Sequence, residues 1–388
     1  MNSSVMDRRD FLRTSAGVTG AMAVSPLACS HPADTPSAQS GEWRNRVSGM
    51  PYRRLGRTNM MISRIVMGGD GIGPGENDNV RLAMDMGVSY GDTAPQYMNP
   101  DSEAGYGELF QSSSVRENYF INTKVSTFED NRKKLLKNIY ESLPASEKQR
   151  FDQRALEILE ERELLAQDYL GRYGPWQEPG AKTTALITAV AETYEHKIDR
   201  RKEYYQHIID SIENSLRKMN TDYVDQMMCP HGADTPEEVN IPEIFEAFEK
   251  LRKDGKVRFL GVSTHTDPAG VLRAVTKNGM YDTVQAAYNV NNMHRVGPAI
   301  KQAYEADIGI IAMKAGKLFS SRQNPDWPTS EMMQLLNDKE PGDMKPIHRA
   351  YLHILRDPHV SAVISAMEEM EFVRQNVPLA GKAETLIG

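Results

Sequence analysis

From about residue 60 onward, short apolar runs alternate with longer stretches whose apolar positions recur every three or four residues. The short runs are 62–68, 88–93, 119–125, 224–231, 259–264, 283–289, 308–314 and 360–365. Most are continuously apolar rather than alternating, as expected of parallel strands buried on both faces. The longer stretches, 207–219, 241–253, 268–278, 296–306, 345–355 and 368–376, predict helices. Several carry end signals: Asp267-Pro268 supplies an N-cap followed by proline at N1, and Asp254-Gly255 and Asn278-Gly279 are stops. Eight strand–helix units in one chain predict a closed (β/α)8 TIM barrel, because a doubly wound sheet usually has fewer strands. Residues 52–62, containing Leu55-Gly56-Arg57-Thr58-Asn59, predict a hairpin ahead of the first strand.

One stretch breaks the rhythm. Residues 128–201 separate the third strand from the helix preceding the fourth. Within them, 145–169 has Phe151, Ala155, Ile158, Leu159 and Leu165 at helical spacing, 171–180 (GRYGPWQEPG) predicts a turn, and 183–197 a further helix. A loop leaving a barrel strand emerges at the C-terminal face, so this helical insertion is expected to form a lid there. Val125 and Ser126 are small at its root, and Tyr173 and Trp176 are candidates for an aromatic wall.

The N-terminus does not follow the pattern of the rest. Arg8-Arg9-Asp10-Phe11-Leu12, a mild apolar stretch from Thr14 to Ala28, and small residues at Ala28, Cys29 and Ser30 predict a twin-arginine signal over 1–30. Such a signal exports an already folded protein, here to the periplasm. Pro26-Leu27-Ala28-Cys29 partly matches a lipoprotein box, with proline where leucine is usual, which makes Cys29 a candidate lipid anchor. Residues 31–51, rich in Ser, Pro and Ala as far as Gly41, predict a linker, and the barrel is expected over 52–380.

Composition narrows the function classes. The 39% apolar and 26% charged residues are ordinary for a globular protein. A net charge of -7 with no long basic block argues against nucleic acid or an anionic membrane as partner. With only two cysteines, Cys29 and Cys229, neither a disulfide framework nor a CxxC motif is possible. No stretch approaches the ~20 apolar residues of a transmembrane helix.

Catalytic side chains of such barrels sit at the C-terminal ends of strands. Those ends hold Asp92 and nearby Tyr97 after the second strand, Lys124 in the third and His231 at the end of the fourth. Singly, each has an ordinary structural explanation: a turn cap, a solvated rim residue, a packed imidazole. Four ionisable residues at three successive strand mouths form a constellation. The segments around them (Tyr52-Arg53-Arg54-Leu55-Gly56-Arg57-Thr58, Gly91-Asp92-Thr93-Ala94-Pro95-Gln96-Tyr97, Ile121-Asn122-Thr123-Lys124 and Thr221-Asp222-Tyr223-Val224-Asp225) resemble the aldo-keto reductases. So do Gly261-Val262-Ser263-Thr264-His265 and Gly309-Ile310-Ile311-Ala312-Met313-Lys314.

The resemblance implies a catalytic tetrad of Asp92, Tyr97, Lys124 and His231 and a carbonyl–alcohol oxidoreductase activity. Carbonyl reduction needs a proton for the developing alkoxide. A tyrosine near its reference pKa of ~10 yields one reluctantly at neutral pH, so a neighbouring ammonium is expected to lower it. Lys124 would tune Tyr97, Asp92 would hold Lys124, and His231 would orient the carbonyl. The resemblance further implies NAD or NADP, with Ser263 and Gln285 on the carboxamide. Thr264 stands where an Asn is common and Met313 where a ring-stacking Tyr is; Lys314 and Asn376 complete the candidate cofactor contacts. Ser365-Ala366-Met367-Glu368-Glu369 and Phe372 lack the basic groups that pair with a 2′-phosphate, which favours NAD. The Gly69-Asp70-Gly71-Ile72-Gly73 run is not spaced as a dinucleotide fingerprint and reads as the first barrel loop. With export, a sugar or sugar derivative becomes a plausible substrate. Two alternatives remain: a regulatory barrel without turnover, and a metal-dependent hydrolase using Cys229, His231 and His265.

Overall fold

The computed structural model describes residues 41–97, 101–166, 177–320 and 325–385. Three short strands, β1 (Glu42–Trp43), β2 (Tyr52–Arg54) and β3 (Met60–Ser63), form a small sheet in the order β1-β3-β2. The next eight, β4 (Ile65–Met67), β5 (Tyr90–Asp92), β6 (Phe120–Lys124), β7 (Val224–Met228), β8 (Val257–Thr264), β9 (Thr283–Ala287), β10 (Gly309–Met313) and β11 (Ala362–Ser365), close a barrel in sequence order. Every neighbouring pair is parallel, including β11 with β4. The predicted TIM barrel is the observed fold.

The run predicted as one strand over 62–68 divides at Arg64. Up to Ser63 the chain pairs antiparallel with β2; from Ile65 it pairs parallel with β11 and β5. Arg64 is buried at the corner, where its guanidinium meets Glu384 at 2.8 Å and the Leu355 carbonyl. The predicted hairpin is β2–β3, and it stoppers the barrel's N-terminal end. Leu55, Met60 and Ile62 pack there against Val66, Tyr90, Phe120, Ile311 and Ala362. The tip is tight enough to require glycine: Gly56 has φ +49°, and a Cβ there would overlap the backbone of Ile308 and Gly309.

The expected linker over 31–51 is too long at its C-terminal end. From Gly41 the chain belongs to the fold: β1 pairs with β3, Arg44 reaches Asp225 at 3.2 Å and the Tyr119 carbonyl at 3.1 Å, and Asn45 donates to the Met84 and Val88 carbonyls. The compositional bias stops at Gly41, but a two-residue strand is too short to show a period, so nothing in the pattern marked 42–51 as part of the fold. Residues 31–40, the expected signal over 1–30 and Cys29 lie outside the described residues.

The helices expected from residue 207 onward are present within a few residues, as His207–Lys218, Pro242–Lys253, Pro268–Asn278, Met293–Glu305, Pro346–Leu355 and Met370–Asn376. A last helix, Leu379–Thr385, carries the fold beyond residue 380. The insertion contains Phe128–Ser142, Ala145–Glu161 and Gln177–Tyr194, and a π-helical turn at Arg201–Gln206 leads into His207–Lys218. The helix expected to reach 169 ends at Glu161, and the expected turn over 171–180 is already helical from Gln177. The Ala145–Glu161 and Gln177–Tyr194 helices pair through Phe151 against Tyr194 (ring centroids 5.7 Å apart) and Arg154 with Glu192 at 3.1 Å.

Candidate active site

Parallel closure sets the C-terminal ends of all eight strands on one rim, and the predicted tetrad assembles there. Asp92 ends β5, Lys124 ends β6, and His231 follows the end of β7 by three residues. Lys124 Nζ donates to Asp92 Oδ2 at 2.6 Å, to the Thr93 carbonyl at 3.0 Å and to Tyr97 OH at 3.1 Å. Asn122 Nδ2, two residues before Lys124 on the same strand, donates to the other Asp92 oxygen at 2.6 Å. The Tyr97 and His231 rings meet edge-on, with centroids 6.0 Å apart. Gly69, in the loop after β4, allows this approach: a Cβ there would lie 2.5 Å from the Tyr97 ring and 2.6 Å from the Asp92 carbonyl.

Burial dominates the electrostatics. Asp92 and Lys124 are each about 1% exposed. The Lys124 ammonium is held charged: burial opposes it, but Asp92 and Tyr97 raise it above the ordinary lysine value. Tyr97 departs from expectation. Burial pushes its phenol up to about 12, and Lys124 offsets only part of that rise. The expected net lowering below the ordinary tyrosine value is therefore not found. His231 is depressed well below the ordinary imidazole value, by burial first and then by Lys124, His265 and Lys314. It is neutral at physiological pH and can offer a ring N–H.

The residues expected to hold cofactor occupy the other half of the mouth. Ser263 and Thr264 end β8, and Ser263 sits in register with Gln285 of β9. Ser263 Oγ donates to the His231 carbonyl, joining the two halves. Gln285 Nε2 lies 3.9 Å from Met313 Sδ at the end of β10. Gln285 Oε1 and Thr264 Oγ1 are buried and, among the described residues, have no hydrogen-bond partner. Buried polar atoms are rarely left so. A buried acceptor on β9 and a buried hydroxyl at the end of β8, both unmatched among the described residues, fit the amine and carbonyl of a carboxamide, so the residues present fit a nicotinamide. Lys314 follows β10 with φ +61°. Asn376 Nδ2 donates to Ser365 Oγ at 3.0 Å beside the end of β11, and no described contact joins it to the Ser263–Gln285–Met313 patch.

With this geometry in view, the comparison with known families is decisive: the model of the aldo/keto reductase family matches residues 74–161 and 167–379. The chain belongs to the aldo/keto reductase family. An uncharacterized oxidoreductase of Bacillus subtilis, YqkF, is 23% identical over 190 residues, a match spanning 45% of this chain and 60% of YqkF. Among solved structures, the aldo-keto reductase AKR11C1 of Bacillus halodurans (holo form) is 18% identical with a TM-score of 0.57, covering 85% of this chain and 90% of its own. An aldo-keto reductase of Klebsiella pneumoniae, solved with NADPH, is 17% identical with a TM-score of 0.50, covering 87% and 95%.

In this aldo/keto reductase two positions that shape the candidate site had no role in the sequence reading, and a third, His265, was named only as a ligand of the hydrolase alternative. Asn122 and Gly69 each stood inside a quoted segment without a role. His265, at the mouth beyond β8, is driven down to about 3 by burial and then by Lys314, and is neutral beside His231. The hydrolase alternative finds no support in Cys229, which is buried with its thiol pushed well up. Among the described residues no three His, Cys, Asp or Glu side chains are grouped to hold a metal. Lys133, Arg162 and Thr184 of the described insertion reach Asp234 and Glu237 in the segment after β7, while Tyr173 and Trp176 lie outside the described residues.

Proposed function

We propose that this aldo/keto reductase is a nicotinamide-dependent oxidoreductase that interconverts a carbonyl and an alcohol on a small molecule. The observation carrying this reading is the Lys124 bridge, a buried ammonium touching both Asp92 and the Tyr97 hydroxyl. A nicotinamide held there would supply or accept the hydride, which no side chain can. In reduction, Tyr97 OH donates its proton to the developing alkoxide. Its raised pKa keeps it protonated at neutral pH, and Lys124 stabilises the phenolate left behind. Neutral His231 donates a hydrogen bond to the carbonyl oxygen, orienting it and stabilising the charge that develops. Positioned proton transfer of this kind contributes roughly 10²–10⁴-fold. In oxidation the Tyr97 phenolate takes the alcohol proton.

Ser263, Gln285 and Thr264 would hold the carboxamide, Met313 would lie against the ring, and Lys314 and Asn376 would serve the rest of the dinucleotide. Glu368, Glu369 and exposed Phe372 favour NAD over NADP, since carboxylates suit a ribose hydroxyl and repel a phosphate. Fluorescence titration with both reduced cofactors tests this, and the NADPH-bound Klebsiella relative represents the outcome that would overturn it. The twin-arginine pattern supports export to the periplasm, with Cys29 a candidate anchor and a sugar or sugar derivative a candidate substrate. The insertion supports a lid: it starts beside Lys124, and Gln96, next to Tyr97, donates to the Ser126 carbonyl and Asp130, both at 2.9 Å. Mixing protein and reduced cofactor with a panel of aldehydes, ketones and sugars should consume the reduced nicotinamide absorbance. No consumption with any carbonyl, and no production from the matching alcohols, would contradict the proposal.

A further inference from the structure

His231 is not on a strand. It lies past Met228, the last residue of β7, on a loop whose backbone must be fixed by something else. On the inner side, Ser263 Oγ donates to the His231 carbonyl and Ala233 N donates to the Ser263 carbonyl at 2.8 Å. On the outer side the contacts come from the insertion. Lys133 Nζ donates to Asp234 Oδ2 at 2.5 Å, and Thr184 Oγ1 donates to the same oxygen at 3.1 Å. Thr266 Oγ1 takes the other Asp234 oxygen at 2.5 Å. Arg132 donates to Glu238 at 3.0 Å, and the second Glu238 oxygen accepts the Asp234 backbone N–H at 2.8 Å. Arg132 is itself held by Glu195 at 2.7 Å, which also accepts from Tyr204 OH at 2.9 Å. Arg132 and Glu238 are each 2% exposed.

We infer that Arg132 and Lys133 of the insertion are positioning residues for His231, acting through Glu238 and Asp234 on the loop that carries it. This rests on the role proposed above for His231. Stability alone is a poor explanation of the network, because a buried ion pair is often matched or bettered by well-packed apolar residues. Charge-assisted bonds of fixed length supply direction instead. Here they converge on the backbone N–H and carboxylate of Asp234, three residues from the imidazole. The exposed pair of Arg162 with Glu237 at 2.7 Å, farther along the same loop, adds little by comparison. The first insertion helix is then part of the catalytic geometry rather than an appendage.

The test uses the full chain. Lys133 is 27% exposed, so Lys133→Met should fold; Lys133→Arg is the conservative rescue, and Lys137→Met, exposed on the same helix, is the control. Misplacing a catalytic group by about 1 Å can cost on the order of 10²-fold, so Lys133→Met combined with Thr184→Val should lower kcat by about tenfold or more. Cofactor affinity should stay within about twofold, since those contacts lie on β8–β11, and a misplacement of this kind acts on the transition state. The His231 ring resonances, assigned by their absence in His231→Asn, should move in Lys133→Met and return in Lys133→Arg. Unmoved His231 resonances with unchanged kcat in the folded double variant would overturn the inference, as would an equal loss of cofactor affinity in Lys133→Met. If the wild-type protein turns over no carbonyl, the proposed function fails, and the resonances alone decide the positioning role.

Discussion

Tyr97 shows what a single residue keeps hidden in a sequence. Its spacing from Asp92 and the presence of Lys124 were legible; the balance between them was not, because burial outweighs the ammonium and lifts the phenol to about 12. A group raised so far stays protonated through neutral and mildly alkaline pH. Carbonyl reduction should therefore hold a flat kcat from neutrality to about pH 9, while alcohol oxidation, which needs the phenolate, should rise continuously over the same range. A pH–rate profile in each direction checks this, and an oxidative plateau near pH 7 would show that the protein lowers Tyr97 after all. Glu129 gives a second residue-scale expectation. It is wholly buried beside the Gly232 N–H, facing Lys133, Glu238, Cys229 and Tyr281, and burial above all pushes it up to about 8. Folding therefore favours its protonated form. Its contribution is intact below about pH 4.5 and is lost as pH rises through about 8. Glu129→Gln should gain Tm relative to wild type at pH 8.5 compared with pH 5, measured by thermal melts; a difference independent of pH would contradict the assignment.

At the scale of elements, the eight barrel strands were readable because parallel strands covered on both faces are continuously apolar, and β4–β7, β9 and β10 are buried throughout. The corner at Arg64 and the two-residue β1 were not, since a change of pairing partner leaves no period behind. The helices Asp78–Asp85 and Ser113–Glu117 were missed for a related reason: few turns give few apolar repeats. The insertion was legible as helical from Phe151, Ala155, Ile158 and Leu159, all of which are buried. Its placement against Asp234 and Glu238 was not, because partners about 100 residues apart in ion pairs carry no local signal. Replacing residues 145–194 with a short linker, while keeping Phe128–Ser142, should leave the barrel folded, raise KM for the carbonyl and speed cofactor release. Steady-state kinetics with a displacement measurement of the bound cofactor check it. Unchanged values in a well-folded protein would assign the helical pair to the flank.

For the whole molecule, closure in sequence order divides the mouth into two halves. Strands β5–β7 and the segments after them bring the proposed proton-transfer groups, and β8–β11 with the segments after them bring the proposed cofactor contacts. Ser263 joins the halves through the His231 carbonyl. That division explains why the tetrad was readable as a cluster of successive strand ends while the cofactor side, matched position by position, carried more departures. Folding before export would let the enzyme carry its dinucleotide with it. Replacing Arg8 and Arg9 together with lysines should then retain the protein in the cytoplasm, as cell fractionation would show; unchanged distribution would remove the export reading. The central claim, that Tyr97 is the acid–base of a carbonyl–alcohol interconversion, is tested most directly by Tyr97→Phe. The ring and its packing against Gly69 and His231 remain, and only the hydroxyl on Lys124 is lost. Turnover should fall by roughly 10²–10⁴-fold or more, with cofactor affinity and Tm nearly unchanged. A Tyr97→Phe enzyme that keeps most of its kcat would place the chemistry elsewhere.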